Sequence, residues 1–328
     1  MSFVNYVIER LKKTKRMMND LVEYDLNHIQ KFIIYIDLGL CIFVYGLGIT
    51  DYFQYKFYAR KRNSRKTFIV HRKRMNIIEK FNNPTDREMF NTKSEFNKKY
   101  SKFIGRDWLL LQDSTINEFK YFVDKHPRFI SKVVDGSHGK GIEVVDLNDR
   151  TETLEAIYQE LKQKNVIIEQ LIEQHQELAK FNPSSVNTLR IVTLLDKNGT
   201  VRVMTANFRI GNGEKFADNF HHNGIASLLD VETGLVITSG IDMNMNRYYI
   251  HPYTGEQIIG YQIPYWDKVV QVCKKAALVT PSVGYVGWDV AIDKNGEIII
   301  IEGNSSADPD ISQIPDQIGK WPLYKKYL

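Results

Sequence analysis

Cysteine is almost missing from this chain: Cys41 and Cys273 are the only two among 328 residues. Far apart in sequence, they exclude a disulfide framework and a thiolate metal site, and they predict a reducing, cytoplasmic setting. Zinc motifs of the HExxH or CxxC kind are absent, and the adjacent His221 and His222 lack zinc-ligand spacing. The N-terminal MSFVNYVIERLKKTKRMM has no signal-peptide order of basic region, apolar run and small-residue cleavage site, so secretion is not expected. Long uninterrupted apolar runs are scarce. The nearest, residues 32–50, is broken by Asp37 and by Gly39, Gly46 and Gly48, which predicts a buried helix or helix pair rather than a membrane span. Acidic residues vanish between Gln54 and Ile78, where Lys56, Arg60, Lys61, Arg62, Arg65, Lys66, Arg72, Lys73 and Arg74 accumulate. Such a run reads as a solvated helix face or, functionally, as peripheral contact through residues 56–74 with an anionic membrane at its inner face or with an acidic polymer. No nucleic-acid fold signature accompanies it, so nucleic acid is not an expected partner.

What remains is ordinary globular composition, 43% hydrophobic and 25% charged, enough for two or three domains. Residues 1–82 read as helical, with Val4, Val7, Ile8 and Leu11 at helical spacing. Asn82, Asn83 and Pro84 mark a break. Mixed helices and strands follow, divided as 83–167 and 168–328, and the tail beyond Ile311 reads as a docked terminal segment.

One stretch concentrates the chemistry. GYVGWDVAIDKNGEIIIIEGNSSAD, residues 284–308, predicts two strands joined by a two-residue Asn295-Gly296 loop. Counting back from that loop sets Asp289 opposite Glu302, and the strand period of two returns Asn304 to the same face. Opposed carboxylates are unfavourable unless a cation lies between them, and hard oxygen ligands suit Mg²⁺ that also holds phosphate. An ordinary edge hairpin would carry the same acids in solvent, but the flanking Trp288, Val290, Ile292 and 298–301 predict burial on both faces. A slip of one residue would turn Asp289 away.

Two further features bear on anions. A strand carrying Lys132 precedes a glycine-rich loop, Gly136, Ser137, His138, Gly139, Lys140 and Gly141, where backbone N–H groups can approach phosphate closely. It is neither a P-loop nor a dinucleotide fingerprint. Later, Asn187 and Arg190 border a long strand and Arg209 stands on the next; interior guanidinium groups suit carboxylate or phosphate, or form structural ion pairs. Asp218, Asn219, His221 and His222 read as a loop bordering the site.

In order, Lys132, the glycine-rich loop, IIEQLI, VNTLRI, FRIG and GWDVAID…IIEGN resemble the ATP-grasp superfamily over about residues 85–310. VNTLR, FRIGNG and IEGN more narrowly resemble its sugar-transfer-associated members related to α-L-glutamate ligases. The resemblance implies an α+β fold, two lobes clasping ATP after a helical N-terminal region. It implies that Lys93 and Lys132 reach ATP phosphates, that 136–141 close over them, and that Glu169, Gln170, Leu171 and Ile172 contact adenine. Asn187 falls among the cofactor-binding positions. Asp289, Glu302 and Asn304 would hold Mg²⁺, one ion or two, or Mn²⁺ in its place, while Arg190, Arg209 and Lys132 stabilise the transferred phosphoryl group. Glu177 is the nearest acid for ribose. The implied reaction joins a small-molecule or glycan carboxylate to an amine, such as an amino acid, through an acyl-phosphate, releasing ADP, in cell-surface polysaccharide synthesis. A kinase acting on a hydroxyl and a non-catalytic module for anionic polymer or membrane are the alternatives.

Overall fold

The computed structural model describes residues 3–134, 141–213 and 224–328. Its N-terminal region comprises α1 (Phe3–Leu21), α2 (His28–Tyr45), α3 (Ile49–Gln54), α4 (Arg62–Arg65) and α5 (His71–Phe81). Asn27 opens α2, its side chain accepting from the Gln30 N–H, and left-handed Gly46 closes it. Two short helices follow, α6 (Lys93–Lys99) and α7 (Ser101–Ile104).

A small antiparallel sheet comes next: β1 (Trp108–Leu110), β2 (Arg128–Val133), β3 (Ile142–Asp146) and β4 (Val166–Gln170), in the order β1-β4-β2-β3. Helices α8 (Ile116–Lys125) and α9 (Leu154–Gln163) bury Phe119, Phe122, Ile157 and Leu161 with Phe129 and Ile168 of the strands. Thr115 and Glu118 start α8 as a reciprocal capping box.

The large antiparallel sheet has the order β11-β10-β5-β6-β7-β8-β9. Its strands are β5 (Thr188–Leu195), β6 (Val201–Ile210), β7 (Ile225–Leu229), β8 (Gly240–Ile241), β9 (Arg247–Tyr248), β10 (Tyr285–Ile292) and β11 (Ile298–Asn304). Among the described residues this half also carries α10 (Gln176–Ala179), α11 (Trp266–Ala277), α12 (Asp310–Gln313) and α13 (Trp321–Lys325). Strand alternation gives the sheet two unlike faces. Leu189, Ile191, Phe208, Trp288, Val290 and Ile300 enter the main core with Val269 and Cys273 of α11 and Phe96 of α6. On the other face Val192, Leu194 and Tyr285 pack with Ile77 and Ile78 of α5 and with Tyr324 of α13.

Four expectations are corrected here. Residues 1–82 do not stand apart, because Ala226, Ile241, Ile311 and Ile314 share a core with α2 and α3, and Gln313 bonds the Ile69 backbone in both directions. Residues 83–107 pack with the large sheet through Phe96, Tyr100 and Ile104, and β4 keeps the small sheet continuous to Gln170, so the lobes do not part at 167/168. Next, α2 is not a buried helix: Ile34, Leu38 and Cys41 are buried, Tyr35, Ile42 and Tyr45 pack beside them, and the opposite side is exposed. Asp37 accepts from Tyr52 Oη at 2.7 Å and pairs with Arg65 at 2.7 Å, fixing one stripe of the helix to the body and leaving the rest outside. The basic segment is also not one solvated helix. It is broken into short pieces, and Arg60, Arg65 and Arg74 turn inward to Gln317, Asp37 and Asp308.

Candidate functional site

Asp289 on β10 stands between two neighbours, Arg190 on β5 to one side and Glu302 on β11 to the other. Asn207 on β6 pairs with Arg190 and extends the row. Directly opposed residues share a face, so four polar side chains cross four consecutive strands on the face away from the α11 core. Lys132, from the small sheet, reaches this row closely enough for its charge to act on Glu302.

The Asp289–Glu302 register matches the sequence expectation; the turn that was to produce it does not. Ile292 pairs with Ile298, so the loop is one residue longer than a two-residue turn. Asp293 Oδ1 accepts from the N–H groups of Asn295 at 2.9 Å and Glu297 at 2.7 Å. Of the Asn295-Gly296 pair, Gly296 alone is left-handed, at φ 78°. Continued unchanged, this register would set Asp289 against Ile301. A bulge on β11, where Ile301 is the extra residue opposite the Asp289–Val290 step of β10, takes up the offset and restores Glu302.

Arg106, which the sequence reading passed over, holds that bulge. Its Nη1 donates to Ile300 O and its Nη2 to Ile301 O, both at 3.0 Å, while Nε donates to Glu169 Oε2 at 2.9 Å. Nothing in its local sequence, IGRDW, distinguishes it from a surface arginine. It ties β11 to β4, one sheet to the other.

The charges around Asp289 and Glu302 are unequal. Arg190 Nε lies 2.6 Å from Asp289 Oδ1, and Arg209 Nη1 lies 3.0 Å from Oδ2. Burial opposes ionisation of Asp289, but these two guanidinium groups hold its carboxyl below the usual range. Glu302 goes the other way: the protein enclosing its carboxyl and the facing Asp289 push it up against the pull of Arg190 and Lys132. The two facing carboxyls are therefore driven apart in their affinity for protons.

A magnesium ion fits this donor set. Asp289 Oδ1 is buried without an aligned hydrogen-bond donor, and the Glu302 side chain is exposed. Asn304, two residues on, shares the Glu302 face; its Oδ1 accepts from the Ser306 N–H at 2.8 Å and keeps a second lone pair. Two carboxylates and an amide oxygen are hard ligands suited to Mg²⁺. Among the described residues no third carboxylate, histidine or thiolate completes a metal cluster, so the amide would be the third protein ligand.

The other residues singled out from sequence divide into three groups. Lys93, at the start of α6, donates to the carbonyls of Val133 and Val134 at 3.1 and 3.2 Å, which sets it at the exit of β2 beside Lys132. Gly136, Ser137, His138, Gly139 and Lys140 lie outside the described residues, as do Asp218, Asn219, His221 and His222; Gly141 re-enters with φ 75° against Val133. The Glu169 side chain is held inside the small sheet by Lys132 Nζ at 2.6 Å, Arg106 and Asn97 Nδ2 at 3.1 Å, so only its backbone is left to meet a base. Despite burial, Arg106 and Lys132 hold its carboxyl well below the usual range. Asn187 is fully buried. Its Nδ2 donates to Gln174 Oε1, Leu178 O and Asn182 O, and its Oδ1 accepts from the Gly211 N–H at 3.0 Å. It braces the exit of β6, where a Cβ on Gly211 would run into Asn182 and Ser185. Gln170 binds the Asp107 backbone, Leu171 and Ile172 are half-buried beyond β4, and Glu177 pairs with Lys180. A depression bounded by Arg202, Asp267, Lys274 and Tyr327 contains none of these residues.

Comparison with known proteins follows the same motifs. A search of curated sequences returned no match. Among solved structures the chain is similar to the ATP-grasp ligase PsnB complexed with minimal precursor, at 16% identity and a TM-score of 0.47 over 75% of this chain and 63% of that one. It is also similar to a Chryseobacterium gregarium RiPP-associated ATP-grasp ligase in complex with ADP and a leader and core peptide, at 15% identity, TM-score 0.45, 75% and 62%. An ADP complex of purK, N5-carboxyaminoimidazole ribonucleotide synthetase, gives 11% identity, TM-score 0.43, 68% and 46%. The chain thus spans less than two thirds of the length of each of these structures, from 46% to 63%. The family described as sugar-transfer associated ATP-grasp matches residues 56–326, which take in both sheets, the Arg190–Asp289–Glu302 row and Lys132. By that match the chain belongs to the sugar-transfer associated ATP-grasp family and has the ATP-grasp fold.

Proposed function

We propose that this chain is an ATP-dependent, ADP-forming carboxylate–amine ligase. The observation that carries the reading is the polar row itself: two directly opposed carboxylates, Asp289 and Glu302, with two guanidinium groups, Arg190 and Arg209, paired to the first. Asp289, Glu302 and Asn304 would hold Mg²⁺, which when bound supplies positive charge against phosphate oxygens. Lys93 and Lys132 would bind those oxygens from the small-sheet side, with Gly141 and the segment before it closing over them. The strand end at Gln170, Leu171 and Ile172 would meet the base through backbone groups.

In this reading a carboxylate oxygen of the substrate attacks the terminal phosphorus of ATP, and the bond to ADP breaks. Arg190 and Arg209, already oriented by Asp289, neutralise the charge gathered on the transferring group. An amine then attacks the acyl carbon, phosphate leaves, and the amine proton passes to solvent. No protein nucleophile is needed, because positioning and charge carry the step. The substrate carboxylate is a sugar-linked or amino-acid one, the amine an amino acid, and the setting cell-surface polysaccharide synthesis; family membership supports this and nothing finer does. Work at a cytoplasmic face, with Mn²⁺ able to replace Mg²⁺, completes the proposal.

The test is nucleotide turnover with Mg²⁺ across a panel of carboxylates and amines, identifying ADP or AMP and weighing the organic product. ADP with an amide product is expected. A phosphorylated product independent of amine would assign a kinase instead, and no turnover with any mixture would leave only a binding module.

A further inference from the structure

The N-terminal helices present a surface that the cleft does not use. On α2, Phe32, Ile33, Ile36, Leu40, Phe43 and Val44 are exposed, Phe32 by 65% and Phe43 by 83%. Between residues 32 and 44 the only other exposed position is Gly39. Spaced by three and four, these side chains form one uncharged stripe roughly 18 Å long. The acid that should interrupt it, Asp37, is turned inward to Arg65 and Tyr52. Tyr6, Val7, Ile8 and Leu11 of α1 are exposed as well. A contiguous apolar surface of this kind marks an interaction site.

Charge decides what covers it. Residues 1–82 hold 16 Lys and Arg against 7 Asp and Glu, more positive than the whole chain at +5. Lys12, Lys13, Lys15 and Arg16 are exposed on α1, and Lys61, Arg62 and Lys66 flank the α4 residue that grips Asp37. Arg72 caps the far end of α2, donating to the Phe43 and Val44 carbonyls at 3.1 Å. A second copy seated by twofold symmetry would press these basic flanks against each other. An anionic lipid surface would satisfy the apolar stripe and its basic borders together. Because Ile34, Leu38 and Cys41 remain packed on the body, α2 would lie in the interface and not cross the bilayer.

We propose that the α1–α2 face docks on an anionic membrane, with the α2 stripe in the acyl–headgroup boundary and the flanking lysines and arginines against the headgroups. This surface is independent of the chemistry assigned to the cleft.

Flotation of the full chain with vesicles of phosphatidylcholine, with and without phosphatidylserine, tests it, alongside sedimentation velocity without lipid. Binding to the phosphatidylserine vesicles is expected, weakening as salt is raised. The combined variant Phe32→Glu, Leu40→Glu and Phe43→Glu changes only exposed positions; it should melt at the same temperature yet bind about a hundredfold more weakly. Lys61→Gln with Arg62→Gln and Lys66→Gln should lose binding selectively on the anionic vesicles, by about tenfold or more. The proposal is overturned if the wild type ignores phosphatidylserine vesicles or if the triple glutamate variant binds them equally well. A lipid-free dimer that this variant dissolves would assign the face to a second copy and overturn it too.

Discussion

Glu169 and Asp289 invite comparison, since each is a buried carboxylate gripped by two cations, one in the small sheet and one in the large. Around Glu169 the account closes: Arg106 and Lys132 share Oε2, and Asn97 takes Oε1. Around Asp289 it stays open, because a second carboxyl, Glu302, stands opposite and Asp289 Oδ1 lacks an aligned donor. A saturated carboxylate of this kind serves to position its partners, leaving Lys132 Nζ further N–H groups to offer phosphate. An incompletely neutralised pair of acids is poised to exchange a proton for a metal cation, which is why the second constellation, not the first, is assigned the chemistry.

The sharpest way to break this contrast is Glu302→Gln. The group keeps its shape, and because Glu302 is already pushed toward its protonated form, folding should be little disturbed. Turnover in the ligase assay should fall roughly a thousandfold, about 4 kcal/mol of transition-state stabilisation. Asp289→Asn is a poorer probe, since it strips the counter-charge from Arg190 and Arg209 and would cost stability as well. Wild-type turnover in Glu302→Gln would remove the metal assignment.

Arg106→Met attacks the closed site. Glu169 would keep Lys132 as its one cation, beside Asn97, and the Ile300 and Ile301 carbonyls at the bulge would lose their donor. Breaking a buried pair from one side costs about 3–5 kcal/mol, readable by chemical denaturation. A loss below about 1 kcal/mol would show that Arg106 is not the brace between the sheets.

A third buried acid gives the opposite pH behaviour from both. Asp310 is raised to about 7 by burial and by the neighbouring Asp308 and Asp51, with Arg190 pulling the other way. Raised above its unfolded value of 3.8, it binds its proton more tightly when folded. Its contribution is therefore complete at low pH and drains away as pH rises through about 7, whereas Glu169, depressed on folding, contributes above its unfolded value and fails as acid is added. Asp310→Asn cannot ionise. It should gain of order 2 kcal/mol over the wild type at pH 8, with the two converging toward pH 4. Parallel stability curves across that range would show that Asp310 titrates normally.

How far the sequence was legible depended on whether the signal was local. Strand alternation and the spacing of Asp289, Glu302 and Asn304 are local, so the face these three side chains share could be read directly. Asn187 carries the same letters as a ligand, but its saturation by Gln174, Leu178, Asn182 and Gly211 is a tertiary fact that no window of sequence displays. Arg106 is harder still, because its partners lie 63 residues and almost 200 residues away. The exposure of α2 was misread for a related reason: an apolar helix is presumed covered, and whether anything covers it is decided by the rest of the molecule.

The hairpin joins these two lessons. A two-residue turn and a regular ladder predict the same Asp289–Glu302 pairing as a longer turn and a bulge, so agreement in register does not identify the cause. If the bulge held by Arg106 sets the register, the turn should be expendable. Gly296→Ala tests this. Its left-handed backbone disfavours a side chain, and an added Cβ would come within 2.5 Å of the Tyr265 ring, so a cost of about 1–2 kcal/mol is expected. Turnover per folded molecule should nevertheless stay within about twofold of the wild type, because Arg106 and the β10–β5 pairing stand between the turn and the acids. A large fall in turnover without a matching loss of stability would return control of the register to the turn.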